Sequence, residues 1–208
     1  MKRTQTDSAA NARSELLDIF RRRGGLLTRR DMTGLGTASD TLQQVLRDGS
    51  VVRVARGIYR LAETVPFGTA AFAEACLAIR SGVVALQSAL AYYELTTAIV
   101  DVVYLGIPRR VAPARLDIPV KTVQMPMSRF RWGVEQQRDG INRFRIFSRE
   151  RTICDCFAYP KNVPETIAYE GLRSYLQRSD RNIGALLEHA KFTKTEAIIE
   201  PVVRVLEA

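Results

Sequence analysis

The chain has 208 residues, 46% of them hydrophobic and 25% charged, enough to bury a core as one large unit or two small ones. Lys and Arg outnumber Asp and Glu by 31 to 22, a net charge of +9, which points to an anionic partner, nucleic acid first and an anionic membrane second. No apolar run approaches the ~18–20 residues of a membrane span, and the basic start has no apolar core behind it, so neither a spanning helix nor a signal peptide is expected.

Three cysteines (Cys76, Cys154, Cys156) without a C-x-x-C motif suit a reducing, cytoplasmic setting. The single histidine, His189, is too few for most histidine-based metal sites. The charge is uneven. Residues 1–62 hold 12 basic and 6 acidic residues, 63–108 hold 1 and 4, 109–151 hold 11 and 4, and 152–208 hold 7 and 8. Two separate basic blocks therefore need explaining.

In the first block, Leu16, Leu17, Ile19 and Phe20 fall at helical spacing over residues 9–23, with Arg21, Arg22 and Arg23 suiting the negative end of the helix dipole. Gly24 and Gly25 stop this helix, and Leu26–Leu27 is a short extended pair. Thr28-Arg29-Arg30-Asp31 has the T-x-x-D form of a capping box and opens a short helix through about Met32. Gly34-Leu35-Gly36 breaks it. Thr37 suits the N-cap of a third helix over about residues 38–48, with Leu42, Val45 and Leu46 on one face and Ser39, Asp40, Gln43, Gln44 and Arg47 on the other. Asp48-Gly49-Ser50 reads as a turn. Val51–Ala55 and Ile58–Leu61 read as strands joined at Arg56-Gly57.

This order is that of a winged helix-turn-helix. Its third helix packs an apolar face inward and offers a polar one to a major groove. Ser39, Gln43, Gln44 and Arg47 are able to read base edges. Arg53, Arg56 and Arg60 on the hairpin, with Arg29 and Arg30 at the start of the second helix, are placed for backbone contact. The competing reading is a small helical domain with a solvated polar face, or a winged helix that contacts protein.

Residues 63–68 read as a linker dividing a DNA-binding domain, 1–62, from a mixed α/β domain, 63–208, that ends in helices; the fold class is α+β. In the second unit, helices are expected over about 69–80 and 88–95. Strands are expected over 82–86, 100–107, 119–125 and 127–132. Arg109, Arg110 and Arg115 fill the connection after Pro108. Val134–Arg138 and Ile141–Phe147 form a hairpin about Asp139-Gly140. Ser148 caps a helix from Arg149 to about Tyr159, Pro164 opens the next, Asp180 caps a third, and a last helix runs from about Thr195 to Leu206.

The second basic block contains Arg129-Phe130-Arg131-Trp132 and Arg143-Phe144-Arg145. With Arg109 and Arg110 these arginines form a possible second basic surface, for single-stranded nucleic acid or an acidic partner. A half-buried strand shows the same alternation.

Catalytic signals are sparse. No P-loop, G-x-G-x-x-G, H-E-x-x-H or G-x-S-x-G appears. Cys154 and Cys156 lie about 200° apart on a helix and read as buried thiols, and His189 as a surface or packing residue. A carboxylate nuclease could draw on Asp101, Glu135, Asp155 or Glu170, but no D…E-x-K pattern supports it. No enzyme activity, metal or cofactor is expected.

Several segments resemble the AbiEi family of antitoxins from bacterial type IV toxin–antitoxin systems. They are G-x-L-T-R-x-D at 25–31, V-L-R-D-G-x-V-x-R-V-A-R-G-I-Y-R-L at 45–61, A-L-Q-S-A-L-A-Y-Y-E-L at 85–95, V-Y-L-G-I-P-R-R at 103–110 and R-E-R-T-I-C-D-C-F at 149–157. The resemblance implies a winged helix that binds inverted repeats in its own promoter and represses the operon. It also implies a C-terminal domain that counteracts a nucleotidyltransferase-like toxin encoded beside it, directly or indirectly. The first helix carries no dimerisation heptad, so a monomer is expected. The alternative is a stand-alone winged-helix regulator whose second domain senses a ligand or a protein.

Overall fold

The computed structural model describes residues 2–111 and 116–206, so Arg115 lies outside the described residues. The chain is mixed α and β and ends in helices. It opens with α1 (Lys2–Arg22), β1 (Leu26–Thr28), α2 (Arg29–Gly34), α3 (Ser39–Arg47), β2 (Val51–Ala55) and β3 (Ile58–Leu61). The strands form an antiparallel sheet in the order β1-β3-β2. Leu16, Phe20, Leu27, Met32, Leu42, Val45, Val51 and Leu61 close one hydrophobic cluster beneath the helices.

The second sheet has five strands. Their elements are α4 (Thr69–Ala78), β4 (Val83–Val84), α5 (Leu86–Tyr92), β5 (Val103–Pro108), β6 (Val120–Met125), α6 (Met127–Phe130), β7 (Val134–Asp139) and β8 (Asn142–Phe147). The order is β6-β5-β4-β8-β7. β5 and β6, and β4 and β8, are parallel; the other two pairings are antiparallel. Helices α7 (Arg149–Ala158), α8 (Glu165–Leu176), α9 (Ile183–Thr193) and α10 (Glu196–Leu206) follow.

Both faces of this sheet are covered, because successive strand residues point to opposite sides. Val84, Leu105 and Ile146 meet Phe72 and Ala75 of α4 and Ile79 just after it. Val83, Tyr104 and Phe147 meet the side of Ile153, Leu172, Leu186 and Ile199 from α7 to α10. Gly106 sits where a Cβ would come within 2.8 Å of the Phe147 ring and 3.0 Å of the Met125 sulfur; only a residue without a side chain permits that packing.

Several expected elements differ. Met127–Trp132 is not a strand: Pro126 starts a single helical turn, with the Phe130 amide donating to the Pro126 carbonyl at 3.0 Å. Gly133, at φ +64, ends the segment. The hairpin β7–β8 pairs Asp139 with Asn142, so its loop is Gly140-Ile141, one residue later than Asp139-Gly140, with glycine at the position that needs positive φ. Thr37 does not cap α3; Ala38 holds that position without a side-chain bond. Asp180 does not cap α9 either. Asn182 does, accepting from the Ala185 amide at 2.9 Å, while Asp180 is drawn away by Arg149 and Arg178.

Candidate nucleic-acid interface

The third helix is held by its apolar side. Leu42 and Val45 are fully buried, and Leu46 is half-buried. Burial of two such side chains stabilises by about 1.5–3 kcal/mol each. Ser39, Gln43, Gln44 and Arg47 consequently project together from the opposite, exposed face.

Both ends of α3 are clamped. At its start Arg29 donates to the Ser39 hydroxyl at 2.7 Å. At its end Arg13 of α1 donates to the Asp48 carboxylate at 2.8 Å and to the Ser50 hydroxyl at 2.7 Å. Hydrogen bonds from Ser50 and Arg13 hold the Asp48 carboxyl down at about 2. The Arg13 clamp was not legible from the sequence, since it bridges residues 35 apart.

The expected capping box on α2 is present. Thr28 accepts from the Asp31 amide at 3.2 Å, and Asp31 accepts from the Thr28 amide at 2.8 Å. The same start of α2 is stitched to the wing: the Arg29 amide donates to the Gly57 carbonyl at 2.7 Å. Gly57 lies at φ +75, as the tight β2–β3 turn requires. Arg30, Arg53 and Arg56 are exposed around this turn, and Arg53 donates to its own strand, to the Ala55 carbonyl at 3.4 Å.

Arg60 departs from the expectation. It does not stand with the wing arginines but turns toward α4, where it meets the Glu74 carboxylate at 2.6 Å. The side chains are only 11% and 1% exposed. A carboxylate so enclosed is costly without a cation, and that need claims the arginine. Burial pushes the Glu74 carboxyl up, and Arg60 pulls it back.

The second basic block splits. Arg109, Arg110, Arg131 and Arg143 are exposed. Arg129 is half-buried and donates to the Thr193 carbonyl at 3.3 Å. Arg145 donates to the carbonyls of Arg80 and Gly82. In the 129–132 segment Phe130 is buried, and Trp132 packs on Phe192 at 4.2 Å between ring centres. The Arg/aromatic alternation here is helical packing, not a strand presenting aromatics to bases.

No family model matches the chain, and no curated protein matches it. Among the described residues no helix is long and apolar enough to cross a membrane.

Of the four carboxylates a nuclease could draw on, three are engaged by separate partners. Asp101 is exposed on a loop. Glu135 accepts from the Tyr93 hydroxyl, and Glu170 from Thr96 and Thr97. Asp155 lies 2.7 Å from Arg151 in an ion pair with almost no solvent access. Burial pushes the Asp155 carboxyl up to about 6, against the pull of Arg151. Arg151 also donates to the carbonyls of Arg129 and Trp132 and stacks on Phe147, so this pair anchors the α6 turn. Cys154 and Cys156 are buried and free, and burial pushes the Cys154 thiol up to about 12. His189 is buried beside Trp132, and burial lowers its pKa.

Proposed function

We propose that the chain is a DNA-binding antitoxin of the AbiEi kind, acting in the cytoplasm, which represses its own operon through the winged helix. The observation that carries this reading is the single exposed face of α3. It presents Ser39, Gln43, Gln44 and Arg47 while Leu42 and Val45 lock it down, with Arg53 and Arg56 beside it on the wing. Two glutamines and an arginine suit the donor and acceptor edges of the major groove, and the wing arginines suit phosphates. The second unit counteracts a nucleotidyltransferase-like toxin, directly or indirectly, a reading that rests on the motifs at 85–95, 103–110 and 149–157. Inverted repeats in the promoter are the proposed operator, each bound by a monomer.

The test is a gel shift on the DNA upstream of the reading frame with Arg47→Ala. Loss of a base-reading contact costs about 1–3 kcal/mol and relaxes specificity. Unchanged affinity and specificity would refute the assignment of α3. Rescue of growth on co-expression with the neighbouring nucleotidyltransferase-like reading frame tests the antitoxin half; no rescue removes it. A stand-alone regulator with a ligand-sensing second unit is the second reading, favoured by an arginine-lined cleft between the two sheets.

A further inference from the structure

A cleft of about 950 Å³ lies between the winged helix and the second sheet, within the size range of small-molecule sites. Arg29, Arg30 and Arg56 line it from the winged-helix side. Arg80, Arg138, Arg143 and Arg145 line it from the other. No carboxylate is among its lining residues, and none of the seven arginines is in an ion pair among the described residues.

Three of the guanidinium groups are held in place by neutral partners. Arg29 bonds the Ser39 hydroxyl, Arg138 the Gly140 carbonyl at 2.8 Å, and Arg145 the backbone after α4. Arg30, Arg56, Arg80 and Arg143 make no side-chain bond among the described residues. Arg138 and Arg143 are moreover directly opposite each other on β7 and β8. Like charges in that position destabilise a hairpin, and a bound anion relieves them. The floor is different in character: Leu77 supplies exposed apolar surface and Gln136 an exposed amide, while Phe144 lies buried beneath, packed edge-on against Phe72 and Tyr92.

We propose that this cleft binds a free nucleoside polyphosphate, with the phosphate chain among the arginines and the base against Leu77 and the Gln136 amide. Planar guanidinium groups bind phosphate oxygens in pairs, and a flat base buries apolar surface while keeping its polar edge bonded. A concave, mixed floor fits one nucleotide better than the convex cylinder of a duplex. The proposal rests on the DNA-binding reading in one respect. Arg29, Arg30 and Arg56 serve both the cleft and the wing, so nucleotide and operator compete for them. Because linkage is reciprocal, each weakens the other's binding by the same factor.

The experiment is calorimetric titration of the full chain with ATP and GTP at fixed salt, with inorganic tripolyphosphate as control. Wild type is compared with an Arg80→Ala/Arg143→Ala variant. Both side chains are exposed, and circular dichroism checks that the variant folds. The expected result is saturable 1:1 binding of a nucleoside triphosphate, weakened at least tenfold in the variant, and weaker binding of tripolyphosphate. Release of a fluorescent promoter duplex by the same nucleotide completes it. Absence of saturable binding to millimolar concentration, or equal binding by the variant, overturns the site. Tripolyphosphate binding as tightly as the nucleotide overturns the nucleoside. A variant that loses duplex affinity in a protein that binds no nucleotide assigns the cleft to DNA instead. If no duplex binds even without nucleotide, the DNA reading fails while the titration still decides the cleft.

Discussion

Two arginines on the wing hairpin, four residues apart, should respond oppositely to substitution. Arg56 stands exposed on the β2–β3 turn, whereas Arg60 is enclosed against Glu74. Arg56→Ala removes one phosphate contact and leaves the fold alone. The slope of log affinity against log salt then falls by about 0.9, so the variant's deficit shrinks about 3.5-fold between 50 and 200 mM salt. Arg60→Ala leaves a carboxylate with 1% exposure facing no cation. Breaking one side of a buried pair costs about 3–5 kcal/mol. At about 2–4 °C per kcal/mol for a chain of this size, Tm falls by about 6–20 °C, with the salt slope unchanged. Replacing both partners, Arg60→Met with Glu74→Leu, should return most of the loss, since no charge is then buried. Fluorescence anisotropy of a promoter duplex across a salt series reads the first quantity, and calorimetry the second. If Arg60→Ala lowered the salt slope and left Tm in place, Arg60 would face DNA and the bond to α4 would carry no weight.

Further outcomes follow from the buried groups of the second unit. Asp155→Ala should cost about 3–5 kcal/mol in urea unfolding, because Arg151 loses its buried carboxylate partner; it should also shift the emission of Trp132, the chain's single tryptophan, whose carbonyl Arg151 holds. A change under about 1 kcal/mol with unaltered emission would contradict the anchoring role. His189, the sole histidine, should titrate below 6.5 by NMR, because burial and the nearby Arg151 disfavour its cation. Its folded pKa is the lower one, so its contribution to stability is complete above pH 6.5 and declines as the pH falls below that value, where the unfolded chain takes up the proton first. Titration at or above 6.5 would show that the ring is not held neutral.

The elements read well where their cause is local. The Thr28/Asp31 box, the Ser148 cap, the Arg56-Gly57 turn and the two-faced α3 depend on residues within one or two turns of each other, and the structure bears them out. In the Met127–Trp132 segment Arg and aromatic residues in alternation suit a half-buried strand and a helical turn packed on α9 equally; Pro126 and Gly133 at its borders are the signal for the latter. For α9 the sequence does not separate Asp180 from Asn182, since both are good caps. Two arginines from elsewhere in the fold take Asp180 out of competition. The clamp of Arg13 on Asp48 carried no signal at all, as nothing in either residue's neighbourhood names the other.

The charge balance marks the same boundary. The amino-acid order alone shows that the surplus falls in two blocks, that the first lies on a helix–turn–helix–hairpin order, and that α3 has one polar face. Counting and periodicity suffice for these because they act along the chain. Which cations are spoken for is settled by the packing. Arg60 and Arg151 are bound to buried carboxylates, and Arg145 to backbone carbonyls. Arg30, Arg56, Arg80 and Arg143, from four separate stretches of chain, line one cleft. A guanidinium's partner is set by which acceptor the packing leaves without water beside it, and that acceptor comes from whichever element the core brings there.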